Sequence, residues 1–260
     1  MTANACAGRL FGDHFLSRLN VDEQAMVANV RRLARDALGP RAAEVAQRDV
    51  FAWDNFRLLA REGVIGTAFP REYGGTDARQ VLRIRIIEEL GRVCSASASL
   101  VTGADLSCRA IVAGASDDNK ARLLPALCRG DIQAAFALTE PGAGSDVRGL
   151  STTIRREGDD YVINGRKKFI TRGTTADWFM VVGRAAHDPS CFIAVLVPRD
   201  AAGFAISPEV GKLGWAGVPI SSLQFKDVRA QVSDRLGAEG DGFDLAQDAQ
   251  TQRRPGIKSS

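Results

Sequence analysis

Thr139, Glu140, Gly142, Gly144, Ser145 and Asp146 crowd hydroxyls, carboxylates and glycines into one short stretch. The stretch reads Ala137-Leu138-Thr139-Glu140-Pro141-Gly142-Ala143-Gly144-Ser145-Asp146-Val147-Arg148-Gly149 and follows an apolar, strand-like run, Ala134-Ala135-Phe136-Ala137-Leu138. Its glycines and Pro141 exclude a regular helix or strand. Glycine tolerates positive φ and lets a ligand approach the backbone, and freed N–H groups can form an anion-binding concavity. The residue types leave two readings open: a ligand cradle, or a tight interdomain turn with no ligand. The loop has no Walker lysine and no G-x-G-x-x-G, so neither of those phosphate-binding mechanisms applies.

Other chemistries find little support. His14 and His187 are the only histidines and stand far apart, which excludes a histidine-rich metal site. Neither has neighbours that suggest a Ser-His-Asp or Cys-His mechanism. Cys6, Cys94, Cys108, Cys128 and Cys191 are odd in number and show no C-x-x-C spacing. That pattern favours reduced thiols in a cytoplasmic setting over a disulfide framework or a zinc site. A net charge of +3 is too mild to argue for nucleic acid. The apolar runs are too short to span a membrane, and Met1 to Leu10 read as neither a secretory signal nor a mitochondrial leader.

The elements that must carry the loop change character along the chain. Val21 to Leu38 has apolar residues at helical spacing, and Gly39-Pro40 is expected to end that helix. Phe51 to Glu62 repeats the pattern, and Gly74-Gly75 breaks the chain. A helix over about 78–90 is expected to use Val81, Leu82, Ile84 and Ile87 as its apolar stripe. Ser97 to Ala113 suits a buried helix. Ser116 is a natural cap for another, with acidic residues in its first turn and Gly130 as its stop.

Near Ile132 the texture becomes extended. Asn164-Gly165 between two strand-like runs predicts a type I′ hairpin, since both central residues of that turn need φ > 0. Ser151 to Arg156 can join the same ladder. Trp178 to Val182, Phe192 to Val197 and Ser222 to Phe225 read as further strands, which suggests an antiparallel barrel or sandwich. From about Asp241 the pattern turns helical again, with Phe243, Leu245, Ala246 and Ala249. Pro255-Gly256 follow near the end.

The string around Pro141 resembles, position by position, the signature of the acyl-CoA dehydrogenase family, and the resemblance runs from about Phe11 to Ile257. It implies an N-terminal all-α helical domain over 1–132 and an antiparallel β-barrel, flavin-binding domain over 133–236. A short remnant of a C-terminal helical domain fills 237–260. The implied cofactor is FAD, with Phe136, Leu138 and Thr139 along the flavin ring. Gly144 and Ser145 lie by the pyrophosphate, and Ser145 also lies by the entering acyl-CoA. Glu140 looks catalytic by type but is not the family's base, and is read as holding the loop.

Lys168-Phe169-Ile170-Thr171-Arg172-Gly173 resembles the family's second flavin contact. Phe169 stands where many members have tryptophan, Ile170 follows it, and Thr171 takes the position near flavin N5. By residue type alone the segment is a strand end entering a turn. Gly211 to Trp215 and Leu223 to Val228 resemble barrel strands and are read as scaffold. Arg229-Ala230-Gln231-Val232-Ser233 departs from the family's pattern there. Arg254 aligns with an arginine near the acyl-CoA. Arg253 stands where some branches place the catalytic glutamate, and Thr251 where an aspartate often touches pantetheine. A solvated basic end is the equal alternative for Arg253 and Arg254.

The implied activity is α,β-desaturation of an acyl-CoA thioester, with an electron-transfer flavoprotein as electron acceptor. The implied chain is shortened, lacks the base, and forms a homo-oligomer or needs a complementing C-terminal chain. Three alternatives stand beside it: a non-catalytic flavin- or partner-binding subunit of a split enzyme, an unstable truncation product with an open apolar face, and a flavin monooxygenase relative. Acyl chain length cannot be read from these residues.

Overall fold

Asn20 starts the first helix. Its side chain accepts the Glu23 N–H at 2.9 Å, and the Glu23 carboxylate accepts the Asn20 N–H at 2.9 Å, a reciprocal cap for α1 (Val21–Leu33). The computed structural model describes residues 18–209 and 211–258, with side chains described through Thr251. Gly39-Pro40 does not end the helical run. A π-helical turn, Ala34–Leu38, intervenes, and α2 (Gly39–Arg48) continues beyond it. The Gly39 N–H reaches back to the Ala34 carbonyl, so Pro40 enters as the start of a new stretch, where its missing N–H costs little.

Three long helices complete the helical part after α3 (Trp53–Arg61): α4 (Gln80–Gly91), α5 (Ser95–Gly114) and α6 (Asp117–Arg129). Ser116 caps α6 by accepting the Asn119 N–H at 3.3 Å, and Gly130 closes it at φ 73°. The expected stripe of α4 is shifted. Leu82, Ile86, Ile87 and Leu90 are its buried apolar residues, while Val81 and Ile84 are half-buried. Arg83, Arg85 and Glu89 are buried with them. Arg85 pairs with Glu89 at 3.0 Å, Glu89 accepts from Arg31 of α1 at 2.8 Å, and Arg83 bonds Asp105 of α5. Burial is tolerated because each charge finds an opposite one, within α4 for Arg85 and on a neighbouring helix for Arg83 and Glu89.

The strands are β1 (Ala134–Ala137), β2 (Thr153–Glu157), β3 (Asp160–Thr171), β4 (Trp178–Ala185), β5 (Phe192–Pro198), β6 (Phe204–Pro208), β7 (Ile220–Gln231) and β8 (Arg235–Leu236). They form one sheet in the order β6-β7-β3-β2-β4-β5-β8, with β1 added on β4. The sheet is mostly antiparallel. The exceptions are β1 and β2, which both run parallel to β4 at different points along it. β6 and β8 stand at the two ends of the hydrogen-bonded path. β6 was not anticipated, because its alternation is only two residues long, Phe204 and Ile206, and both stay half-buried against the second core.

The hairpin expected at Asn164-Gly165 is corrected by the structure. β3 runs straight through both residues, and the chain reverses instead at Gly158-Asp159, where Gly158 has φ 61°. Gly165 sits at a bulge in the β3–β7 ladder, with φ 152°. A Cβ there would lie 2.7 Å from the Thr152 Cα, so close approach of another segment, not a turn, requires the glycine. In the departing segment Arg229 to Gln231 finish β7, where Arg229 bonds Glu157 at 2.8 Å and Asp160 at 3.2 Å, and Val232-Ser233 enter a short 3-10 turn.

Both faces of the central strands are covered. Met180, Val182, Ala194 and Leu196 join the helices in one core, while the alternate residues Phe179, Val181, Ile193 and Val195 fill a second core on the other side of the sheet. Lys212 ties the loop before β7 to the end of α2, 2.7 Å from Asp49. Finally α7 (Gly242–Lys258) packs on α5 and β5, with the Phe243 and Phe192 rings 5.7 Å apart. Ala246 and Ala249 are its buried small residues.

Candidate functional site

The glycine-rich loop is held from beneath by a buried ion pair. Glu140 and Ala143 exchange backbone hydrogen bonds at 3.0 and 3.2 Å, closing a tight turn over Pro141 and Gly142. The Glu140 side chain then turns inward. It accepts the Ser151 N–H and hydroxyl, both at 2.6 Å, the Thr152 N–H at 3.0 Å and the Lys167 ammonium at 2.8 Å. Burial alone would push its carboxyl up. The Lys167 charge and the donors around it outweigh burial and hold the group down at about 2. Burial drives the Lys167 ammonium below its ordinary range, against the attraction of Glu140. This is a structural role for Glu140: every contact it makes anchors the loop.

Lys167 also joins the two sequence motifs. Its ammonium donates to the Leu138 carbonyl at 2.9 Å, and the next residue's N–H, that of Lys168, donates to the Thr139 carbonyl at 2.8 Å. The bend at the end of β3 is therefore bonded directly to the start of the loop. Phe169 projects from that bend, 56% exposed and at φ 59°. A bulky residue at positive φ is strained, and an exposed phenylalanine gains little from burial. The Lys168 ammonium lies 5.0 Å from its ring centroid.

The other singled-out residues fall in different places. Thr139 and Thr171 are half-buried beside the bend, and Leu138 is buried. The Phe136 side chain packs against the helix-side core, and Ile170 is buried in the core on the sheet's other face. Only the backbone of Ile170 is thus available to a ligand. Arg253 and Arg254 lie outside the residues whose side chains are described.

Beside the loop opens a cleft of about 530 Å³. Leu138, Thr139, Gly144, Ser145, Val147 and Arg148 form its loop wall. Phe243, Ala246, Gln247, Gln250 and Thr251 of α7 form the facing wall. A Cβ added at Gly142 or Gly144 would meet no atom within 4 Å, and neither glycine has positive φ. The chain's own packing therefore does not require these two glycines. Asp146 is the one carboxylate among the described lining residues, and its side chain accepts the Arg148 N–H at 3.1 Å, capping a short turn.

Sequence reasoning brought Leu138, Thr139, Gly144, Ser145 and Thr251 to this cleft. It missed Arg148, Phe243, Gln247 and Gln250. The helical periodicity from Asp241 identified α7, but nothing in one sequence tells which of its faces meets the loop.

The acyl-CoA dehydrogenase N-terminal domain model matches residues 20–131, and the acyl-CoA dehydrogenase middle domain model matches 135–228. Acryloyl-CoA reductase (NADH) of Anaerotignum propionicum is 34% identical over 242 residues, covering 90% of this chain and 61% of that protein. A glutaryl-CoA dehydrogenase from Mycobacterium smegmatis, solved in complex with FADH2, superposes with a TM-score of 0.88 at 29% identity, covering 96% of this chain and 63% of that one. Butyryl-CoA dehydrogenase of Megasphaera elsdenii gives 0.87 at 26% identity, with 93% and 65% covered. The chain spans less than two thirds of the length of each of these relatives.

Proposed function

Because this chain belongs to the acyl-CoA dehydrogenase family, we propose that it forms the flavin-holding part of an enzyme that desaturates acyl-CoA thioesters. The observation that carries this reading is the bond from Lys168 N–H to the Thr139 carbonyl, which sets an exposed aromatic face beside a glycine-rich turn and an open cleft. The residues fit FAD. The open space at Gly142 and Gly144, unexplained by the fold, suits close approach of a dinucleotide to the backbone. The exposed, strained Phe169 suits a planar ring laid on it.

In this reading FAD, when bound, supplies the electron acceptor for the reaction. Phe169 and Thr139 flank the ring, Thr171 offers a hydroxyl to its polar edge, and Gly144 and Ser145 hold the pyrophosphate. Phe136, Leu138 and Ile170 back the site through packing and main chain. Ser145 and Thr251 line the path of the acyl thioester, and a contact from Arg254 to the acyl-CoA follows from the family's plan alone. Asp146 is occupied as a turn cap, so we assign removal of the α-proton to a carboxylate outside the described residues. The division into 1–132, 133–236 and 237–260 follows the family's plan, as do transfer of electrons to an electron-transfer flavoprotein and assembly with further copies or a complementing chain.

The test is spectroscopic. The purified protein is incubated with FAD, freed of excess, and titrated with butyryl-CoA without oxygen. The expected result is retained flavin whose visible band shifts or bleaches as the thioester binds. A folded protein that stays colourless after FAD would overturn the reading.

A further inference from the structure

Beside the cleft two arginines and two phenylalanines close a ring in the order Arg148, Phe243, Phe192 and Arg184, and Arg148 and Phe243 also line the cleft. The Arg148 guanidinium lies 4.5 Å from the Phe243 ring centroid. Phe243 packs on Phe192 at 5.7 Å, and the Arg184 guanidinium lies 5.6 Å from Phe192. Arg184 then donates to the Arg148 carbonyl, which closes the ring. The loop, β4, β5 and α7 all contribute. The ring fixes Arg148 from two sides: its main chain through Arg184, its side chain through Phe243.

What the ring presents is a cation with unused donors. Among the described residues no carboxylate pairs with Arg148 or Arg184, in a molecule whose arginines are mostly ion-paired. Asp146, the nearest acid in sequence, spends its side chain on the turn's backbone. Stacking on an aromatic face uses the flat side of a guanidinium and leaves its edge N–H groups free. Of the other polar side chains that line the cleft, Ser145, Gln247 and Gln250 are neutral, and the one acid, Asp146, is bonded to the Arg148 N–H rather than to its guanidinium. A pre-positioned guanidinium fork selects planar or tetrahedral oxyanions, phosphate above all.

We propose that Arg148 is the phosphate-recognising residue of this cleft, binding the phosphate carried by the pantetheine arm of the thioester. This rests on the acyl-CoA reading of the same site and adds to it the group that tells a phosphorylated carrier from a bare pantetheine thioester. Arg184 acts as a positioning residue through the Arg148 carbonyl.

The experiment is calorimetric titration of the FAD-treated protein with coenzyme A, with pantetheine and with inorganic pyrophosphate, each against wild type, Arg148→Gln and Arg148→Lys. In wild type coenzyme A binds at least about tenfold tighter than pantetheine, the scale of one charge-assisted bond, and pyrophosphate competes with it. Arg148→Gln removes that preference while pantetheine affinity is unchanged, and Arg148→Lys restores part of it. Unchanged pantetheine affinity reports an intact cleft, so a misfolded variant is not mistaken for support. A coenzyme A to pantetheine ratio that survives in Arg148→Gln overturns the inference and leaves the family reading standing. Pyrophosphate binding that does not compete with coenzyme A also overturns it. A wild-type protein that binds neither coenzyme A nor pantetheine overturns both.

Discussion

The Lys167 ammonium and the Glu140 carboxylate meet at 2.8 Å, with both side chains almost wholly withdrawn from solvent. Around them the Leu138 carbonyl, the Ser151 hydroxyl and two backbone N–H groups satisfy the remaining hydrogen-bonding capacity. Removing one member leaves the other buried without its counter-charge, at a cost of about 3–5 kcal/mol. Glu140→Gln and Lys167→Met should each lower stability on that scale in urea unfolding. The double variant should lose less than the sum of the two. Full additivity would mean that the pair does not act as a unit.

The same carboxylate makes stability depend on acid. Its folded-state pKa is depressed to about 2, below the ordinary glutamate value. Its contribution is therefore fully present above about pH 4.5 and is lost as the pH falls toward 2. Urea midpoints of the wild type should fall across that window. The fall should be smaller in Glu140→Gln, which has no proton to take up at this site. Equal slopes in the two proteins would contradict the assignment.

Gly165 offers a backbone test. Alanine there must hold φ 152° with its Cβ 2.7 Å from the Thr152 Cα, so the bulge must shift. Gly165→Ala should cost more than about 1 kcal/mol, whereas the same change at exposed Gly144 should be within about 0.5 kcal/mol of neutral. Thermal melts of the two variants side by side would show it.

Much of the fold was legible because its helices bury one face and its caps follow side-chain chemistry, as at Ser116 and Gly130. The loop and the β3 bend were legible as motifs. Their meeting was not, because it depends on Lys167, a lysine that strand alternation alone would not place in a fully buried site. Asn164-Gly165 misled because the dipeptide suits a hairpin turn, while the real demand on Gly165 comes from Thr152, remote in sequence. Buried Arg83 and Glu89 of α4 were hidden for a similar reason: each has a partner on another helix, Asp105 and Arg31. Arg148 reached the site through α7 packing, which one sequence does not reveal.

The central claim is that the turn around Pro141 and the face of Phe169 hold a flavin dinucleotide. The most direct measurement is an equilibrium titration of the flavin-free protein with FAD, followed by flavin fluorescence, for wild type, Gly144→Ala and Phe169→Ala. The account predicts saturable binding by the wild type, and binding at least about tenfold weaker in both variants while their melting temperatures stay near the wild-type value. A stable wild-type protein that takes up no FAD, or variants that bind it as tightly as the wild type, would contradict the account.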